Sequence, residues 1–208
     1  MATATAVDSH ARLERALALL VGGNTPSAEL SLKSHRKTLV FYRRDAAECA
    51  RRRHHDAAPL AIGHLATLLE LPTELDVPLA ALPKPLRERT HALPRAAATL
   101  TGSRIRRHAV RPLAVDLALL RTSAHHWKKA LIHACDIAPF ARCALLLNAP
   151  TPADERDDLY MRAAYYGIGV LEPASDGLVW AVPPESHPDF RHTPVDWQFT
   201  EQLHARLP

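Results

Sequence analysis

Leu113-Ala114-Val115-Asp116-Leu117-Ala118-Leu119-Leu120 is an apolar run broken by one carboxylate, and the residues after it set the architecture. An acid at the centre of a buried strand is costly unless it is used or paired. Next comes AHHWKKALIHACDIA, where Trp127, Ala130, Leu131, Ala134 and Ala138 recur at helical spacing and Pro139 stops the helix. Cys143–Leu147 is continuously apolar, the pattern of a strand covered on both faces. Asp154-Glu155 opens a second helix with an apolar line through Leu159, Ala163 and Tyr166, and Gly167 closes it before the strand Ile168–Leu171. Asp176-Gly177 is a hairpin turn into Leu178–Val182. Strand, helix, strand, helix, strand with long crossovers predicts an α/β core.

The wording within these elements adds specificity. Trp127-Lys128-Lys129-Ala130-Leu131, then His133-Ala134, Phe140-Ala141 ahead of CALLLNAP, and Tyr166-Gly167-Ile168-Gly169-Val170-Leu171 carry a family pattern over about residues 103–184. It resembles a branch of the restriction-endonuclease-like PD-(D/E)XK nucleases. The resemblance implies a mixed sheet flanked by helices, two carboxylates holding a divalent cation, and a lysine near the attacking water. The strand position that would read acid-x-Lys is here Asp116-Leu117-Ala118, so the lysine is missing. The preceding strand, expected over Arg104–Val110, has no carboxylate. Asp116 is then the one candidate catalytic acid and metal ligand, with Lys128 or Lys129 as replacements for the lost lysine. Mg²⁺ or Mn²⁺ is expected only if the protein is an active nuclease; otherwise no cofactor is. The competing expectation is a structural Asp116 paired with a nearby arginine.

Outside this core, residues 1–8 read as a tail and 9–102 as a mainly helical N-terminal region. That region has a helix over His10–Val21, a hairpin at 30–44, a helix capped by Asp45, and proline-punctuated helical segments from Pro59 to Leu93. Pro78 argues against a helix-turn-helix starting at Leu65. Residues 103–184 are the nuclease-like core and 185–208 a C-terminal segment with a short helix from Trp197 to Leu207.

The chain has 208 residues and a net charge of +4. Between Arg89 and Val115 there is no acid, but there are Arg89, Arg95, Arg104, Arg106, Arg107 and Arg111. Such a run suits a polyanion, or a solvated face balanced by acids elsewhere in space. Arg95, Arg104, Arg106, Arg107 and Arg111 are accordingly the candidate nucleic-acid contacts. Three irregularly spaced cysteines give neither a disulfide framework nor a zinc signature. No signal-like start or membrane-length apolar run is present, so a cytoplasmic, soluble protein with no membrane partner is expected. Taken together, the sequence predicts a nucleic-acid-binding protein with a degenerate nuclease-like fold, binding DNA first and RNA second. Two alternatives stand beside it: an active metal-dependent DNA endonuclease, and a non-enzymatic scaffold that joins a protein partner or a second copy of itself.

Overall fold

The computed structural model describes residues 25–32, 36–175, 177–185 and 192–207. The expected N-terminal tail, the helix over 10–21 and Asp176 of the hairpin turn lie outside these residues. The chain is α/β and divides into two compact units, one of residues 1–43 and 115–190, the other of 44–114 and 191–208.

The first unit is built on a six-stranded mixed sheet ordered β1-β2-β6-β7-β8-β9. Its strands are β1 (Ser27–Leu32), β2 (Arg36–Arg44), β6 (Leu113–Thr122), β7 (Cys143–Leu147), β8 (Gly169–Ala174) and β9 (Gly177–Val182). The hairpin expected at 30–44 is present, as antiparallel β1 and β2, but it belongs to this sheet rather than to a helical N-terminal region. β6, β7 and β8 are parallel, joined by α4 (Trp127–Ile137) and α5 (Ala153–Tyr165), and β9 closes back antiparallel on β8. All five residues of β7 are buried because it lies between β6 and β8.

Alternate residues of the sheet build one apolar face from Leu39, Phe41, Leu117, Leu119, Leu146 and Leu171. Trp127 is fully buried at the start of α4, and its Nε1–H donates to Glu155 Oε2 at 2.6 Å, tying α4 to α5. Gly167 ends α5 at φ +66°, a left-handed conformation that favours glycine. Gly169 meets a different demand, since a Cβ there would stand 2.9 Å from Ala144, Trp180 and Pro184 side-chain atoms.

The second unit holds α1 (Ala46–His54), α2 (Ile62–Leu69), α3 (Lys84–Thr90), α6 (Pro194–His204) and a small antiparallel sheet ordered β3-β5-β4. Those strands are β3 (Asp76–Pro78), β4 (Ala98–Thr101) and β5 (Arg104–Arg107). β5 and β6 thus enter different sheets, although the sequence reads them as neighbours. Asp45 caps α1 as expected, its Oδ1 accepting from Glu48 N–H at 2.8 Å. The core gathers Leu60, Leu65, Leu68, Leu71, Leu86 and Ile105 around Trp197.

Beside that core lies a buried ion network. Arg52 donates through Nε to Glu48 at 2.7 Å and through both Nη atoms to Glu201 at 2.6 and 2.7 Å. Glu201 also accepts from the Leu60 N–H at 3.1 Å and from Trp197 Nε1 at 3.0 Å. Burial alone would push the Glu48 carboxyl up, but the Arg51 and Arg52 guanidiniums hold it below the usual carboxylate range.

His204 in α6 is pushed the other way. Burial, then the charges of Arg52 and Arg44, lower its pKa against the opposing pull of Glu201 and Glu48. A histidine harder to protonate in the folded than in the unfolded chain costs stability as pH falls below the unfolded value, about 6.5. The thermal midpoint should therefore drop between pH 7 and pH 5, and His204→Gln should flatten that part of the profile. Equal pH slopes in the two proteins would remove His204 from the account.

Candidate functional site

Asp116 sits on β6, third of the six strands in the sheet. Its partner is Arg43, near the end of the neighbouring strand β2. Arg43 Nε donates to Asp116 Oδ2 at 2.9 Å and Oδ1 at 3.0 Å, and Nη2 donates to Oδ1 at 2.8 Å. This forked pairing engages both carboxylate oxygens. The Asp116 side chain keeps 19% of its accessible surface and Arg43 keeps 70%, so the pair stands at a partly open surface. The hydrogen bond and charge of Asp116 raise the Arg43 pKa, so the guanidinium stays charged at any working pH.

The expectation that Asp116 is arginine-paired therefore holds, but the arginine is not from the 89–111 run. The strand beside β6 is β2, not Arg104–Val110, because residues 44–114 form the second unit between them. β2 carries no carboxylate either. Sequence reading missed Arg43, since nothing local marks which distant strand will pair with β6. The one available signal was a basic pair, Arg43-Arg44, ending an apolar run.

Position 118, where the resemblance would place lysine, is more than vacant of charge. Ala118 is fully buried, in register with Cys143 of β7. A lysine there would have to desolvate its ammonium inside the sheet. Lys128 and Lys129 are both exposed on α4. Lys128 Nζ lies 5.2 Å from the Trp127 ring centroid and 3.8 Å from an Asp158 carboxylate oxygen of α5. It serves the α4–α5 surface, and no contact ties it to Asp116.

A hard divalent cation prefers several oxygen ligands. Among the described residues, no group of three or more His, Cys, Asp and Glu side chains is placed to hold a metal ion. Asp116 presents one carboxylate, with both oxygens already accepting from a guanidinium. The described residues do not fit Mg²⁺ or Mn²⁺. His126, next to the strand end, instead places Nδ1 2.7 Å from Ser123 Oγ. Cys143 is buried, which pushes its thiol far above the range where a thiolate forms.

The candidate nucleic-acid arginines separate into two groups. Arg107 is structural: it donates to the carbonyls of Leu68, Leu71 and Ala109 at 2.7–3.0 Å, finishing the end of α2, and its guanidinium lies 4.9 Å from the Trp197 ring centroid. Burial lowers its pKa. Arg111 forms an ion pair at 2.5 Å with buried Asp196. Arg104 and Arg106 alternate on β5 and share a face; Arg106 pairs with the Asp76 carboxylate, and Arg104 donates to the Asp76 carbonyl at 3.0 Å. Arg95 is exposed. Space thus supplies acids that the sequence run lacks, and three of the five arginines remain at the surface.

No family model matches the chain, and neither the curated proteins nor the solved structures compared with it give a match.

Proposed function

We propose that this chain binds nucleic acid, duplex DNA in the first instance, through its second unit, and that a restriction-endonuclease-like core in its first unit no longer cuts. The observation that carries the binding reading is charge segregation. The second unit has fourteen Lys and Arg against nine Asp and Glu, a net of +5, while the first has twelve against thirteen, a net of −1. Positive charge concentrated in one unit is the electrostatic footprint of a polyanion partner. The mixed sheet and the β6–α4–β7–α5–β8 order support the nuclease-like reading of the core. The Arg43 clamp on Asp116 and the buried alanine at 118 support loss of cutting.

Contacts from Arg95, Arg104 and Arg106 to phosphates would position a duplex and carry little sequence information. Three such contacts imply a log–log salt slope of about −2.7, so affinity should fall about 40-fold between 50 and 200 mM salt. Fluorescence anisotropy with a labelled duplex checks this. Arg104→Ala and Arg106→Ala should each shrink the slope by about one. Absence of binding at 50 mM salt, or a flat salt profile, removes the reading; tighter binding of single-stranded RNA moves it to RNA. In the same protein, plasmid with Mg²⁺ or Mn²⁺ should stay uncut, as in Asp116→Asn. Cutting that Asp116→Asn abolishes and Lys128→Ala or Lys129→Ala weakens would instead establish the endonuclease alternative.

A further inference from the structure

Ligands of open α/β sheets sit outside the carboxyl ends of the parallel strands, in the crevice that the crossovers leave. In the first unit that edge holds a cavity of about 470 Å³. Leu146 and Leu147, the last two residues of β7, line it and are buried, while Pro173 of β8 and Leu178 of β9 line it half-buried. The polar lining is Arg121, Thr122 and Asn148. Arg121 already has an interaction partner within the chain, so its charge is not at a ligand's disposal. Thr122 is buried, and its hydroxyl donates to the Ser123 carbonyl at 3.4 Å. Asn148 differs from both. Of the described lining residues it alone is exposed, and no hydrogen bond among the described residues uses its side-chain amide. Its backbone is nevertheless fixed, since its N–H donates to Thr122 C=O at 3.1 Å across the two strand ends.

We propose that this cavity binds a neutral carboxamide or lactam with a hydrocarbon body. A volume of this order, walled mainly by apolar side chains with a few polar groups, is that of a small-molecule site. Leu146, Leu147, Pro173 and Leu178 take an apolar body out of water. A charged head would leave water with no uncommitted counter-charge among the described lining residues, so the ligand is neutral. Asn148 selects the head. Its amide sets a carbonyl acceptor and an N–H donor side by side in one plane. A carboxamide or lactam presents the complementary donor and acceptor and closes two parallel hydrogen bonds. An ester of the same shape accepts one and leaves the Asn148 carbonyl unmatched. The proposal is independent of the nucleic-acid reading, which concerns the other unit.

Cinnamamide, methyl cinnamate and cinnamate share one apolar body and test this by isothermal titration calorimetry on the full chain at neutral pH. Cinnamamide should bind saturably at one site, about fivefold tighter than the ester, the effect of one net hydrogen bond. Cinnamate should bind about tenfold or more weaker than the amide, because the anion is desolvated without a partner. Asn148→Leu, similar in size and at an exposed position, should bring amide and ester to the same affinity. Leu178→Trp should fill the cavity and abolish binding of all three. Circular dichroism establishes that each variant is folded; if Leu178→Trp is not, Asn148→Leu decides. Equal binding of amide and ester by the wild-type chain, cinnamate as the tightest ligand, an amide preference that survives Asn148→Leu, or no saturable binding overturns the proposal.

Discussion

Replacing Glu201 by alanine should lower the thermal midpoint by about 10 °C or more. Glu201 is 2% exposed and accepts four hydrogen bonds: two from Arg52, one from the Leu60 N–H and one from the Trp197 indole. Its loss leaves the Arg52 guanidinium buried against Glu48 alone, and two further buried donors with no acceptor. Breaking such a pair from one side costs about 3–5 kcal/mol, because the remaining charge has been taken out of water without compensation. In a chain of this size each kcal/mol moves the midpoint by about 2–4 °C. Glu201→Gln keeps an acceptor for Leu60 and Trp197 but removes the charge that balances Arg52, so its midpoint should fall between wild type and alanine. Scanning circular dichroism checks the order. A loss under about 3 °C for Glu201→Ala would mean that water reaches Arg52 and that the network is not sealed.

Glu201 also shows what the sequence cannot announce. It lies in an ordinary amphipathic pattern, 149 positions from the arginine it serves. The elements that were legible are those whose signal is local. Cys143–Leu147 reads as a central strand because five consecutive apolar residues are what burial on both faces requires, and it is central. Asp45 announces a helix start because its side chain serves an amide three residues on. What sequence could not settle is pairing at a distance. β6 finds β2 across the whole of residues 44–114, so nothing close to Asp116 in sequence points to Arg43 as its partner.

The arginine run misleads for the same reason. Its apparent lack of counter-charge ends where β3 brings Asp76 opposite Arg106 and where α6 supplies Asp196 to Arg111. Arg107 shows that even a charged residue in a basic run can be a helix cap placed over a tryptophan. The segregation of charge between units was equally out of reach, because the second unit is assembled from two separated pieces of chain.

Trp127→Ala should be the most damaging single change in the first unit. The indole is 0% exposed and makes a 2.6 Å hydrogen bond to Glu155, so truncation opens a cavity and strips a carboxylate of its donor. Phe or Trp to Ala in a core costs about 3–5 kcal/mol, and the lost hydrogen bond to a charged group adds to that. With a urea m-value of about 1–3 kcal/mol/M, the midpoint of unfolding should fall by more than about 1 M. Trp127→Phe restores most of the volume but not the donor, and should recover over half of the loss. The outcome bears on what the Trp-Lys-Lys-Ala-Leu stretch is for. If it is retained for packing α4 against α5 and the sheet, Trp127→Ala lowers stability while Lys128→Ala and Lys129→Ala change neither stability nor DNA affinity by more than about twofold, as exposed charges do. If instead Trp127→Phe folds like wild type but loses DNA binding at 50 mM salt, the stretch belongs to the interface, and the first unit shares in binding despite its net charge of −1.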